Sequence, residues 1–244
     1  MRLQRMLVLL SLAAMPWIAH SSNFGVTPLR LDLGPKAKAG SVSVSNQDKA
    51  PITFQVSVKK WTQGPNATDV FEDTKDLIVY PQQLVVKPGE KKLVRVGFEG
   101  APPAREAAYR LFIEELPAPV PVSDRGGEVR VLGRFGLAVL VRDASAKANL
   151  SIDELNVRSG KVTAKVSNTG DSAARVQRFS LGKSKELLPG FAGGWLLAGS
   201  SREFSGTLDP AVCKPGATAV FEVESFLGVK AAREVTLSSD ACKA

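Results

Sequence analysis

Beyond about residue 24 the chain alternates between apolar and polar residues in short runs. GVTPLRLDL (Gly25 to Leu33), SVSVS (Ser41 to Ser45) and PITFQVSVKKW (Pro51 to Trp61) each turn every second residue toward one side, the period of a half-buried β-strand. Turn chemistry bounds them at Gly34-Pro35, Asn46-Gln47-Asp48 and Gly64-Pro65-Asn66, where glycine, proline and asparagine break a ladder. LIVYPQQLVVKPGEKKLVRVGF adds two strands around the turn Lys87-Pro88-Gly89-Glu90, and EAAYRLFIEELP (Glu106 to Pro117) adds another. Roughly seven short strands with regularly spaced turns predict an immunoglobulin-like sandwich.

One run breaks the scale of the others. EVRVLGRFGLAVLVR, Glu128 to Arg142, has Val129, Val131, Gly133, Phe135, Leu137, Val139 and Val141 on one side and Arg130, Arg134 and Arg142 among the residues of the other. Strands usually run about five or six residues, whereas this one predicts a strand of roughly 50 Å, longer than one small sandwich needs. Either it is a long core strand, or its surplus apolar edge pairs with something else, because an unpaired apolar edge is an aggregation hazard.

After Arg142 the polar, small-residue stretch DASAKAN (Asp143 to Asn149) reads as a connector, and alternation resumes in LSIDELNV, GKVTAKVSN, ARVQRFSLG, AVFEVESF and REVTLSS. The expected organisation is all-β: a leader over 1–21, an immunoglobulin-like domain over 22–143 with the long edge strand, a hinge over 144–149 and a second β-sandwich over 150–244. Two such domains meet at an angle and leave a cleft between them, a common place for binding.

Composition narrows the chemistry. MRLQRMLVLLSLAAMPWIAHSS opens with Arg2 and Arg5, runs apolar from Met6 to Ile18 and ends in small residues, which predicts a secretory leader cleaved near Ser21 and no membrane anchor. The formal charge is +8, and removing Arg2 and Arg5 lowers it by two to +6. Acids are interspersed with the bases, so no nucleic-acid partner is expected. His20 is the single histidine, and it leaves with the leader. The exported chain then lacks the commonest general base and metal ligand, so Ser–His–Asp, Cys–His and histidine-rich zinc sites are excluded; neither a metal nor a cofactor is expected. Cys213 and Cys242 form an even pair in an exported chain, most simply one disulfide, with two free thiols as the alternative. Asn66-Ala67-Thr68 matches an N-glycosylation acceptor but is assigned no role, and Gly193-Gly194-Trp195 reads as a turn followed by a core tryptophan.

Taken in order, FGVTPLRLDL, SVSVSNQ, YPQQLVVKPGEKKLVRVGF, REAAYRLFIEELP and a long strand ending in VLVR resemble the N-terminal domain of periplasmic pilus chaperones of the chaperone–usher pathway. The resemblance covers about residues 24–143; the second domain shares the architecture and the segment GWLLAGSSREF. YRLFIEELP together with FGLAVLVR is more similar to the archaic branch of the family than to the better-known ones.

The resemblance implies a periplasmic protein that binds fimbrial subunits lacking their last strand, lends them its edge strand by β-augmentation and delivers them to an outer-membrane usher. Val129, Val131, Gly133 and Phe135 would insert into the subunit, while Leu137, Val139 and Val141 serve the protein's own core. Arg30 falls where the family carries an arginine at the base of the cleft that binds the subunit's C-terminal carboxylate; a solvated strand arginine is the alternative. The family's second anchor is a lysine four residues before the arginine that ends the long strand, and that position here is Ala138. Arg134, on the same face, is the candidate to replace it, unless the anchor is single; Arg130 and Arg134 also read as charges that discourage self-pairing. Glu106 and Arg142 match an ion pair that in relatives fixes the angle between domains, with a further acid in the second domain. Free donor edges could also pair two copies into a self-capped oligomer.

Two other classes share parts of this pattern. An exported structural or adhesive component of a surface appendage would share the two-sandwich build, but the mature chain enters its first strand within a few residues and has no detachable donor extension. A carbohydrate-active enzyme would need a carboxylate pair, and Glu114, Glu115, Asp153 and Glu154 lie at strand ends or connectors where solvation accounts for them. The expected protein is not an enzyme.

Overall fold

A computed structural model describes residues 20–117, 130–182 and 186–243. Most of the leader and Val129 lie outside the described residues. In chain order the strands are β1 (His20–Ser21), β2 (Phe24–Thr27), β3 (Arg30–Leu33), β4 (Ala39–Asn46), β5 (Ile52–Gln63), β6 (Asp69–Asp73), β7 (Leu77–Tyr80), β8 (Gln83–Val86), β9 (Lys91–Phe98), β10 (Ala107–Glu115), β11 (Arg130–Val131) and β12 (Arg134–Val141). A second group follows: β13 (Leu150–Arg158), β14 (Lys161–Asn168), β15 (Ala174–Leu181), β16 (Gly194–Leu196), β17 (Ser201–Thr207), β18 (Thr218–Ser225) and β19 (Lys230–Thr236). Among the described residues no helix is long and apolar enough to cross a membrane.

The first sandwich faces β2-β4-β9-β7 against β3-β12-β10-β5-β6, with β8 paired to β5. Alternation does its expected work between the sheets. Val42 and Val44 of β4, Phe54 and Val56 of β5, Val94 and Val96 of β9, and Leu137, Val139 and Val141 of β12 meet in one core, and burying such side chains contributes about 1.5–3 kcal/mol each. The second sandwich sets β13-β14-β17 against β16-β15-β18-β19 around Phe179, Phe204 and Phe221. Arg233 of β19 reaches across to donate to the carbonyl oxygens of Ile152 and Asp153, at the bulge where the β13–β14 register shifts. Cys213 and Cys242 form a disulfide with Cα atoms 5.5 Å apart, tying the loop after β17 to the C-terminal turn.

The single long strand expected over Glu128 to Arg142 is corrected to two pieces. β12 begins at Arg134 and β11 ends at Val131, with Leu132 and Gly133 between them. The ladder to β10 stops at Glu114↔Arg134, because β10 itself ends one residue later. There the Gly133 N–H turns onto the Glu115 carboxylate at 3.2 Å. The Phe24 ring lies so close to Gly133 that a Cβ would sit 2.5 Å from it. Beyond this point β11 pairs in parallel with β1, His20↔Arg130 and Ser21↔Val131.

The domains meet over a third apolar cluster. Trp61, Ala108, Ala138 and Leu140 of the first pack against Ala173 and Leu197 of the second, with Trp195 alongside. Gln63 binds both ways, donating to the Trp195 carbonyl at 3.1 Å and accepting from the Leu197 N–H at 2.8 Å. Next to it, Ala67 of the turn Pro65–Ala67 is wholly buried in the second domain's core, and the Asn66 side chain accepts from the Glu203 N–H at 2.8 Å.

Candidate functional site

Strand β12 is covered unevenly. β10 pairs with all of it, from Glu114↔Arg134 to Ala107↔Val141. On the other edge β3 runs parallel to it only from Ala138↔Arg30 to Val141↔Leu33. The main-chain edge of Arg134 to Leu137 therefore has no strand partner among the described residues. Side chains follow the same division. Leu137, Val139 and Val141 fill the core, whereas Phe135, in the same row, is 37% exposed and Val131 is 54% exposed. Phe135 is held in place by the Phe24 ring, 5.3 Å away and edge-on, which in turn packs on Phe54 at 4.7 Å. Ser22 donates to the other oxygen of Glu115 at 2.6 Å, so the chain's entry into β2 is pinned beside the break at Gly133.

The opposite face of β12 looks toward the second domain. Arg134 does not reach the cleft: its Nε lies 2.8 Å from Glu114 and its guanidinium stacks 4.0 Å above Phe112. Ala138 is buried in the interdomain cluster. Arg30 stands at the base of the cleft, its Nε and Nη2 bound to Asp32 at 2.8 and 2.5 Å, with the Trp195 ring 5.7 Å away. A cavity of about 470 Å³ opens here, lined by Arg30, Arg110 and Arg175 and by the apolar walls of Leu29, Phe135, Trp195 and Phe226. No acid lines it. Arg110 stacks 3.8 Å above Trp61; burial pushes its pKa down, the nearby Arg175 adds to this and Asp69 opposes it.

Glu106 and Arg142 lie at the domain junction. The Glu106 carboxylate is buried, accepts from Ser172 Oγ and from the Ala173 N–H at 2.8 Å each, and has Arg142 Nη1 at 3.4 Å. Arg142 also reaches Ser172 Oγ and, at 3.1 Å, Asp32. The further acid is thus Asp32 of the first domain; the second domain meets the pair with a hydroxyl and a main-chain N–H. Burial pushes the Glu106 carboxyl up, outweighing the hydrogen bonds from Ala173 and Ser172 and the charges of Arg142 and Arg30.

Residues 23–146 match the family described as pili and flagellar-assembly chaperone, PapD N-terminal domain. The chain belongs to this family. No curated protein sequence matches it. Its fold is similar to that of the complex of the CsuC chaperone with the CsuE tip adhesion subunit, from archaic chaperone–usher Csu pili of Acinetobacter baumannii, at TM-score 0.61, 21% identity, 88% of this chain and 99% of that one. The SafB chaperone with the SafA pilin of Salmonella enterica follows at TM-score 0.59 and 15% identity, covering 90% and 99%. The E. coli chaperone DraB aligns at TM-score 0.54 and 15% identity over 91% and 99%. Chaperones of pilus assembly and their two-domain β-sandwich fold are therefore the class in which this chain stands.

Arg110 and Arg175 escaped the sequence reading. Arg110 sits inside YRLFIEELP, but β10 is buried on both faces over most of its length, so no alternation marks its outward residues. Arg175 belongs to β15, and its approach to the first domain depends on the interdomain angle.

Proposed function

We propose that the exported chain acts in the periplasm as a chaperone that completes fimbrial subunits lacking their last strand, and hands them to an outer-membrane usher. The observation that carries this reading is the half-covered strand β12. Its free edge offers main-chain hydrogen bonds over Arg134 to Leu137, and Phe135 continues the row of core residues past the point where the protein's own sandwich ends. A partner strand laid along that edge gains affinity from the main chain, and its open core receives the alternate side chains Val131 and Phe135. In the sequence Val129 continues the same alternation, and Gly133 falls between Val131 and Phe135 in it. Cleavage near Ser21 removes most of the β1–β11 pair and leaves Val131 open to the partner. Arg30 then receives the partner's C-terminal carboxylate, for which a planar guanidinium is suited.

The test is affinity capture of the tagged mature chain from the periplasm of its own host, followed by mass spectrometry, beside a Val131→Arg variant. A stoichiometric small β-rich subunit captured by the wild type and lost with Val131→Arg is the expected result. Equal capture by both proteins, or no subunit with either, would remove strand donation.

A further inference from the structure

Glu115 is a buried acid without a cation. It is 9% exposed, and its carboxylate is met by the Ser22 hydroxyl at 2.6 Å and by the Gly133 N–H at 3.2 Å. Among the described residues no lysine, arginine or histidine pairs with it, whereas its neighbour Glu114 has Arg134. An ionised carboxylate offers about four acceptor sites, and a carboxylate taken out of water is costly unless an opposite charge or a full set of donors replaces the water. A hydroxyl and one amide leave this one incompletely matched.

What Glu115 holds is the root of the strand that reaches outward. Gly133 is gripped at both main-chain atoms, since its carbonyl oxygen also accepts from the Glu115 N–H at 2.9 Å. The exposed Val131 lies two residues upstream. The direction in which β11 leaves the sandwich is therefore set at Glu115.

Processing supplies the missing charge. The leader ends Ala19-His20-Ser21, with small residues three and one before the Ser21–Ser22 bond, the pattern that leader cleavage requires. Hydrolysis of that bond adds one water: the carboxylate stays on Ser21 and departs with the leader, and the Ser22 nitrogen takes a proton and becomes an ammonium. Only Cα and Cβ separate that nitrogen from the hydroxyl already bound to Glu115. The same cut removes His20 and Ser21, which pair with Arg130 and Val131 in the unprocessed chain. One cleavage thus uncovers β11 and places a charge beside its root.

Resting on the reading of an exported, strand-lending chain, we propose that the new α-ammonium of Ser22 pairs with Glu115 and fixes Gly133, so that leader removal itself readies the lending strand. Ser22 and Glu115 are positioning residues, acting on the partner through Gly133.

The protein taken from the periplasm of its host should begin at Ser22, read by N-terminal sequencing. Chains beginning at Ser22 with a free or an acetylated nitrogen are then compared by amide hydrogen exchange, in the wild type and in Glu115→Gln. The Gly133 N–H should exchange at least about tenfold more slowly with the free ammonium than with the acetylated nitrogen, the size of one charge-assisted interaction, and Glu115→Gln should abolish the difference. Acetylation alters no side chain, so the comparison within the wild type decides even if Glu115→Gln does not fold. A first residue other than Ser22, equal exchange with and without acetylation, or a difference that persists in Glu115→Gln overturns the clasp. Subunit capture is read separately: capture sensitive to Val131→Arg beside equal Gly133 exchange leaves strand donation standing and removes the clasp, and acetylation-sensitive exchange without capture does the reverse.

Discussion

Within the eight residues of β12, two halves of one strand have opposite fates. Ala138 to Val141 is paired on both edges and buried on both faces, by the sandwich core on one side and by the second domain on the other. Arg134 to Leu137 is paired on one edge, and only Leu137 is buried. The residue types differ little, with apolar side chains recurring at every second position in both halves. What separates them is the length of β3, which covers four residues of β12 and stops. A strand's role is therefore set by what lies next to it as much as by its own composition, and the boundary between core and available edge falls at Ala138.

The sharpest break of this comparison is a charge in the closed half. Val139→Asp puts a carboxylate in the core and should cost more than about 4 kcal/mol, read as loss of the cooperative unfolding transition. Leu140→Ala, on the interdomain face of the same half, should cost about 2–5 kcal/mol in denaturant titration and loosen the second domain. In the open half, Phe135→Ala should cost only about 1 kcal/mol, since the ring is partly exposed and loses its contact with Phe24. Subunit capture by that variant should nevertheless drop at least about tenfold, as for a central interface residue. Smallest of all in stability is Val131→Arg, within about 0.5 kcal/mol of wild type although capture is lost. If Val131→Arg unfolded the protein, the two halves would not differ as described.

The junction beside the closed half gives a pH-dependent version of the same test. Glu106 is held above its ordinary 4.5 by burial, so between that value and the folded one the folded chain binds more protons than the unfolded chain. Its contribution to stability is then greatest below pH 4.5 and declines as pH rises through the folded value. Glu106→Gln does not titrate, so the stability of wild type relative to this variant should fall over that rise, measured as denaturant midpoints across pH. A difference that grew with pH would mean that the partners of Glu106 outweigh its burial.

Several elements could be read directly from residues. SVSVS and LVRVGF alternate because one face of each strand meets the core and the other meets water, and that asymmetry is written residue by residue. YRLFIEE conceals its register because both faces of β10 are largely covered, and a strand buried twice loses its period. The same concealment hid Arg110, whose place opposite Ala138 is a matter of pairing register. Asn66-Ala67-Thr68 matches an acceptor pattern to which the sequence assigns no role; its asparagine holds the Glu203 N–H, and its alanine fills the second domain's core. No local signal distinguishes such a clamp from an exposed loop.

Local composition was enough to predict an exported all-β chain, free of histidine once its leader is removed, with an apolar strand longer than its own core required, because leader, period and turn chemistry act over neighbouring residues. The break at Gly133, the start of β3 at Arg30, the binding of Glu106 by Ser172 and Ala173, and the meeting of Arg30, Arg110 and Arg175 come from strands of two domains brought together. Each depends on contacts between residues far apart in the chain, and pairing register and interdomain angle are set by the packing of whole faces, which no short stretch of residues contains.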